Sequence, residues 1–183
     1  MFDVYVAGNL NFHYPPELPM NDLLPDLFDH FAGELSLLSA KFKQYGKREI
    51  FWGEVVTIKC FEDNSKVKQI LATEGKGKVL VVDGDASMDR ALLGDLITLS
   101  AVDNGWEGVV INGCVRDVGA LKKMDLGIKA LGANPIKTVK LDQGEVNISL
   151  EMDSVIIEPG MMLYSDENGI AIAPKALDLS FLL

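Results

Sequence analysis

Two short runs built only from apolar residues constrain this chain more than any other feature: VLVV at 79–82 and VVI at 109–111. A strand with no polar face is covered on both sides, and the usual cover is helix laid over a parallel sheet. Helical spacing follows each run. After the first, a helix is predicted roughly over 92–104, with Leu93, Leu96, Ile97 and Ser100 on one face and Gly105 ending it. After the second, VRDVGALKKM reads as a short helix, and GIKALGANP leads to a strand near 128–131. Upstream, GEVVTIKC reads as a strand, and Asp63 or Asn64 caps a helix through KVKQILATE with Val67, Ile70 and Leu71 inward. Earlier still, Asn21 or Asp22 caps a helix carrying Leu24, Leu27, Phe28 and Phe31. This alternation predicts an α/β core with a partly parallel sheet. Beyond Thr138 the segments KTVKL, VNISL, SVIIEPGMMLY and NGIAIAP read as strands separated by turn signals, a β-rich C-terminal part of the same domain. Pro15, Pro16 and Pro19 forbid regular helix near the start, so 1–20 reads as an N-terminal extension and 21–183 as a single domain.

Charge narrows the function. Lys and Arg total 17 against 27 Asp and Glu, a net −10 over 183 residues. Such a surface repels phosphate backbones, which argues against direct nucleic-acid binding. It leaves room for a local basic pocket holding a small anion, or for a basic protein partner. Cys60 and Cys114 each close an apolar run, as buried thiols in a reducing compartment do, and make no disulfide framework. His13 and His30 are too few for a histidine-rich zinc site, and His30 reads as a surface residue. Residues 1–18 lack the pattern of a secretory leader, and the apolar runs fall well short of the ~20 residues of a membrane helix. A cytoplasmic location with no membrane partner is expected.

Ligands of open α/β sheets bind beyond the carboxyl ends of strands. One such end is VLVVDGDASMDRALLGDL. With Gly94 in the first turn of its helix, the N–H groups of Asp95, Leu96 and Ile97 form an anion site; the alternative is a plain amphipathic helix with Asp95 as a favourable N-terminal charge. The second end is VVINGCVRDVG. There the Arg116 guanidinium suits a carboxylate and the Asp117 carboxylate suits a hard cation, or the two form an ordinary surface pair. Asp83, Asp85 and Asp89 read as a solvated loop without the spacing of a calcium loop. GKGK at 75–78 precedes a strand and is no phosphate loop.

These residues carry a resemblance. FWGEVVTIKCFEDN, GKVLVVDGD, GDLITLSAVDNGWEGVVINGCVRDV, LGANP and EPGMMLYSDENGIAIAP resemble, in order, the family of the regulator of ribonuclease activity A and the 4-hydroxy-4-methyl-2-oxoglutarate aldolases. The resemblance implies a swivelling β/β/α-type fold and a homotrimer with sites at subunit interfaces. Its aldolases carry Asp, twenty residues, then Arg-Asp; Asp95, Arg116 and Asp117 meet that pattern. The implied substrate contacts are Gly94, Asp95, Leu96, Ile97 and Arg116, and the implied metal ligand is Asp117. Many active members carry an acidic residue three positions after the metal Asp, where this chain has Ala120.

Two functions follow from the resemblance. The first is a divalent-metal-dependent pyruvate aldolase, using Mg²⁺ or Mn²⁺, that cleaves a small 2-oxo acid and decarboxylates oxaloacetate, a carbon–carbon lyase. In it Arg116 and Asp95 are catalytic: Arg116 binds the carboxylate or enolate oxygen, and Asp95 orients a water that relays protons. No lysine stands out in the sequence for a Schiff base. The alternative is a protein-binding inhibitor of an RNase E-type endoribonuclease, docking its acidic surface on a basic segment. An older label of the family, a menaquinone-pathway methyltransferase, finds no glycine-rich adenosylmethionine loop here.

Overall fold

A computed structural model describes residues 22–38 and 41–182; the N-terminal extension expected at 1–20 lies outside the described residues. In chain order the elements are α1 (Leu24–His30), β1 (Ser36–Leu38), β2 (Lys43–Gln44), β3 (Phe51–Lys59), α2 (Ser65–Leu71), β4 (Lys78–Asp83), β5 (Ala91–Leu93), α3 (Asp95–Asp103), β6 (Gly108–Val115), α4 (Val118–Leu121), β7 (Gly127–Ala133), β8 (Glu145–Val146), β9 (Leu150–Met152), β10 (Val155–Ile157), β11 (Met162–Asp166), β12 (Gly169–Ala173) and a closing 3₁₀ turn (Ser180–Leu182).

The main sheet runs β1-β12-β11-β3-β4-β6-β7-β2, with β5 beside β6 and β8 beside β3. Its centre is parallel: β3 with β4, β4 with β6 and β6 with β7. The flanks are antiparallel, and β9 and β10 form a separate hairpin. This is the mixed α/β architecture expected from the two apolar runs. Each run serves two cores by period-two alternation. Leu80 and Val82 of β4, with Val109 and Ile111 of β6, meet Val67 and Leu71 of α2 and Ala101 of α3. Val79, Val81 and Val110 turn the other way, onto Phe51, Leu163 and Ile170. A third core sets α1 on the outer face of β11 and β12, through Leu23, Leu24, Leu27, Met162, Tyr164 and Ala171.

Several expectations need correction. The helix expected over 92–104 begins only at Asp95, because Ala91 and Leu93 pair in parallel with Cys114 and Val115 of β6. Its inward residues are Thr98 and Ala101, while Leu96 is 77% exposed and Leu99 48%. The segment KTVKL makes no strand; its pairing is limited to an isolated bridge between Lys137 and Ala91. VNISL divides between β8 and β9 around Asn147, whose φ is positive. Asn21 lies outside the described residues, and Asp22 does not cap α1: the Asp166 carboxylate accepts the N–H groups of both Leu23 and Leu24 at 2.8 Å. Asp22 instead accepts the side-chain amide of Asn168 at 2.7 Å. Asp83 is buried rather than solvated, accepting hydrogen bonds from the Asp85 N–H and the Asn112 amide; Asp85 and Asp89 are exposed as expected. His30 is exposed and stacks on Phe181. Both cysteines are buried and free, and burial, helped by the charges of Asp63 and Asp83, pushes the Cys60 thiol up to about 12.

Candidate active site

The site lies where β5 and β6 end side by side. Arg116 N–H donates to the Leu93 carbonyl at 2.9 Å, so the residue after one strand is pinned to the end of the other. The chain then turns at Asp117, whose φ of 55° is left-handed. Aspartate tolerates that conformation better than most residues. The turn leaves the Asp117 carboxylate against the start of α3. Its Oδ2 accepts the Asp95 N–H at 3.2 Å and stands 3.3 Å from Arg116 Nε. Both side chains are about a third exposed, at 36% and 35%.

Gly94 caps α3 with extended backbone, φ −138° and ψ −174°. Its missing side chain matters more than its flexibility. A Cβ here would stand 2.7 Å from Asp117 Oδ2 and 3.0 Å from Arg116 Nε. The glycine therefore makes space for the Arg-Asp pair to close over the helix start. Two first-turn N–H groups already have acceptors: Asp95 donates to Asp117, and Leu96 donates to the Asp95 carboxylate at 2.7 Å. The Ile97 N–H has no acceptor among the described residues, which keeps one dipole-assisted donor for an anion.

A cavity of about 280 Å³ opens at this point. Gly94, Asp95, Leu96, Ile97 and Arg116 line it, five of the six site residues expected from sequence; Asp117 adjoins the lining through its contacts with Asp95 and Arg116. Among the lining residues that were not foreseen are three cations: Lys68 of α2, and Lys137 and Lys140 of the 137–143 segment. Together with Arg116 they set four cations against the single carboxylate of Asp95, in a chain whose net charge is −10. Two lysines three residues apart in KTVKL were the available signal, masked by reading that stretch as a strand.

The lysine-bearing segment is held by Asp63. This carboxylate is 1% exposed and accepts three backbone N–H groups, from Ser65 at 2.8 Å, Leu141 at 2.8 Å and Gln143 at 3.1 Å. Burial alone would raise its pKa, but hydrogen bonds from Ser65, Gln143 and Leu141 outweigh that and bring it down to about 2. The Thr138 hydroxyl adds a second tie, donating to the Asn64 side-chain oxygen at 2.8 Å. The residues around the start of α2 thus fasten the wall that carries Lys137 and Lys140.

Among the described residues no three His, Cys, Asp or Glu side chains gather as a metal cluster. Likewise no described helix is long and apolar enough to cross a membrane.

Comparison with known proteins identifies the family. The sequence profile of the RraA-like family, described as Aldolase/RraA, matches residues 22–172. A relative from Shewanella oneidensis, provisionally named a 4-hydroxy-4-methyl-2-oxoglutarate aldolase, is 60% identical over 163 residues, covering 89% of this chain and 99% of the relative. Among solved structures, the RNA-processing inhibitor RraA from Thermus thermophilis superposes with a TM-score of 0.84 at 39% identity, covering 88% of this chain and 98% of that one. A protein from Geobacillus kaustophilus, described as an S-adenosylmethionine:2-dimethylmenaquinone methyltransferase, matches with a TM-score of 0.83, also at 39% identity, covering 85% and 97%. A profile match over most of the described chain, with relatives aligned along nearly their whole length, leads to one conclusion: this chain belongs to the RraA-like (Aldolase/RraA) family.

Proposed function

We propose that this protein is a divalent-metal-dependent pyruvate aldolase of the 4-hydroxy-4-methyl-2-oxoglutarate type, which also decarboxylates oxaloacetate. The observation that carries the reading is the meeting of Gly94, Arg116 and Asp117 at the ends of β5 and β6, beside a cationic cavity. The names of relatives such as the Shewanella oneidensis protein support it.

The donor set suits a hard cation that keeps most of its water. Asp117 offers a carboxylate whose Oδ2 has protein partners and whose Oδ1 accepts no hydrogen bond among the described residues. Mg²⁺ or Mn²⁺ takes one or two carboxylates plus substrate oxygens, whereas a structural zinc cage needs four ligands. Held by Asp117, such an ion supplies Lewis acidity toward the 2-oxo group. Arg116 presents fixed donors to the substrate carboxylate, or to the oxygen on which charge gathers as the carbon–carbon bond breaks. Removing one preorganised donor of this kind costs roughly 10²–10³ in rate. The Ile97 N–H and the α3 dipole hold a carboxylate at the helix start. Asp95 orients a water that relays the proton. A Schiff-base route is the weaker reading, even with three lysines on the lining. Lys68, Lys137 and Lys140 are all exposed, without the desolvation that commonly activates an amine nucleophile.

The test is pyruvate release from oxaloacetate and from 4-hydroxy-4-methyl-2-oxoglutarate, with Mg²⁺ or Mn²⁺ and with chelator. Wild type should need the metal, and Asp117→Ala should lose at least ~10²-fold in kcat/KM. A rate unchanged in Asp117→Ala would remove Asp117 from the role of metal ligand. Exposed Leu96 and Leu99 beside the cavity support a homotrimer with sites at its interfaces, and the two buried free thiols support a cytoplasmic location.

The likeness to the RNA-processing inhibitor from Thermus thermophilis favours a second reading, binding of an RNase E-type endoribonuclease through the acidic outer surface. The two are compatible, since one uses the cavity and the other the exterior. Pull-down of that ribonuclease at low salt, weakening as salt rises, is the expected sign.

A further inference from the structure

We infer that Lys68 and Lys140 form a subsite for a second, distal carboxylate, and that they set the preference of this site for dianionic over monoanionic 2-oxo acids. The inference rests on the aldolase reading for the identity of the reaction, and on the cavity for the placement of charge. Arg116 and the start of α3 occupy one part of the lining, and they suffice for the carboxylate next to the 2-oxo group. Three further cations would then have no anion to meet.

Among the described residues no carboxylate forms an ion pair with Lys68, Lys137 or Lys140, although acidic residues outnumber basic ones 27 to 17. Neighbouring Lys66, on the same helix, does find one, with Asp142 at 2.9 Å. Unmatched ammonium groups gathered around a concavity in an acidic protein focus a positive potential there. Lys68 and Lys140 have a further distinction. They line both this cavity and an adjoining one of about 650 Å³, so the two lysines stand where the first space opens into the second. Arg116, Lys68 and Lys140 line the same cavity, so a 2-oxo acid held by Arg116 can present its far end to the two lysines. Wall position is not left to chance, because Asp63 accepts the N–H groups of Leu141 and Gln143, next to Lys140.

The experiment compares two substrates that break the same bond. Retro-aldol cleavage of 4-hydroxy-4-methyl-2-oxoglutarate gives two pyruvates; that of 4-hydroxy-2-oxopentanoate gives pyruvate and acetaldehyde, with a hydrogen in place of the distal carboxylate. Lys68→Met and Lys140→Met keep an unbranched side chain one atom shorter and remove the charge. Each should lower kcat/KM for the dianion roughly tenfold, and both together about a hundredfold, as expected for charge-assisted hydrogen bonds. The monoanion should change less than about twofold, because it lacks the carboxylate that would make such a bond. Equal losses on both substrates, or no loss on either, overturn the subsite. A titration without metal separates this outcome from failure of the aldolase reading. Glutarate should bind wild type more tightly than butyrate does, in a salt-sensitive way, and lose that advantage in the double variant. If wild type cleaves neither substrate yet shows this glutarate preference, the reaction is wrong and the subsite stands. If glutarate binds no better than butyrate, the subsite is wrong whatever the reaction.

Discussion

Replacing Gly94 with alanine should slow catalysis about a hundredfold while sparing the fold. The backbone tolerates the change, since φ −138° and ψ −174° are ordinary for any residue. The new Cβ, however, would stand 2.7 Å from Asp117 Oδ2, 3.0 Å from Arg116 Nε and 3.2 Å from Arg116 Cγ. Relaxed contacts between heavy atoms lie near 3.5–4.0 Å, so the pair must retreat by roughly 0.5–1 Å. Both side chains are about a third exposed, at 36% and 35%, so there is solvent-filled space for them to shift into. Stability should therefore fall by less than about 1 kcal/mol, a Tm change of roughly 2–4 °C for a chain of this length. A displacement near 1 Å at reacting groups costs about 10² in rate. The assay is metal-dependent pyruvate release from oxaloacetate, run beside thermal unfolding of the same preparation. A wild-type rate with an unchanged Tm would refute the idea that the Arg116–Asp117 geometry matters. A collapse in Tm would show that Gly94 serves packing instead.

Two further predictions concern the site and its support. Arg116→Lys keeps the charge but loses the planar fork, so kcat should fall by ~10–10² while thermal stability stays within about 0.5 kcal/mol, read by steady-state kinetics and thermal melts. Asp63→Asn replaces an acceptor of three N–H groups with one that carries its own donors, and should cost about 1–3 kcal/mol at pH 7, read by urea unfolding. The pH dependence has a definite sign. The folded pKa of Asp63 is about 2, below the ordinary 3.8, so its contribution of about 2 kcal/mol is complete above pH 4 and drains away as pH falls toward 2. That acid-side slope should be shallower in the Asn variant.

The parts of the molecule that were legible in the sequence are those fixed by local pattern. VLVV and VVI are buried on both faces because their strands lie at the centre of the sheet, and Gly105 ends α3 with a φ of +76°. The spacing from Asp95 to Arg116-Asp117 translated into proximity because each motif follows a strand, and those strands are neighbours. What stayed hidden depends on partners far along the chain. Leu92 and Leu93 have helical spacing with Leu96, and only their pairing with β6 makes them strand. Lys137 and Lys140 reach the site because Asp63 and Asn64, more than seventy residues earlier, tie down their segment. No periodicity within KTVKL reports that connection.

The cap on α1 has a consequence for how the protein is made. The first described helix takes its N-terminal acceptor from Asp166, and it packs on Met162, Tyr164 and Ala171 of the last two strands. During synthesis a ribosome would release α1 well before its docking surface exists. A seven-residue helix is too short to persist alone in water, so it must stay unformed until the final hairpin has emerged. The two ends of the described chain then lock together in a single late step. Trimming the C-terminus back past Asp166 should therefore unfasten the N-terminal helix, on the opposite end of the sequence, before it disturbs the central strands.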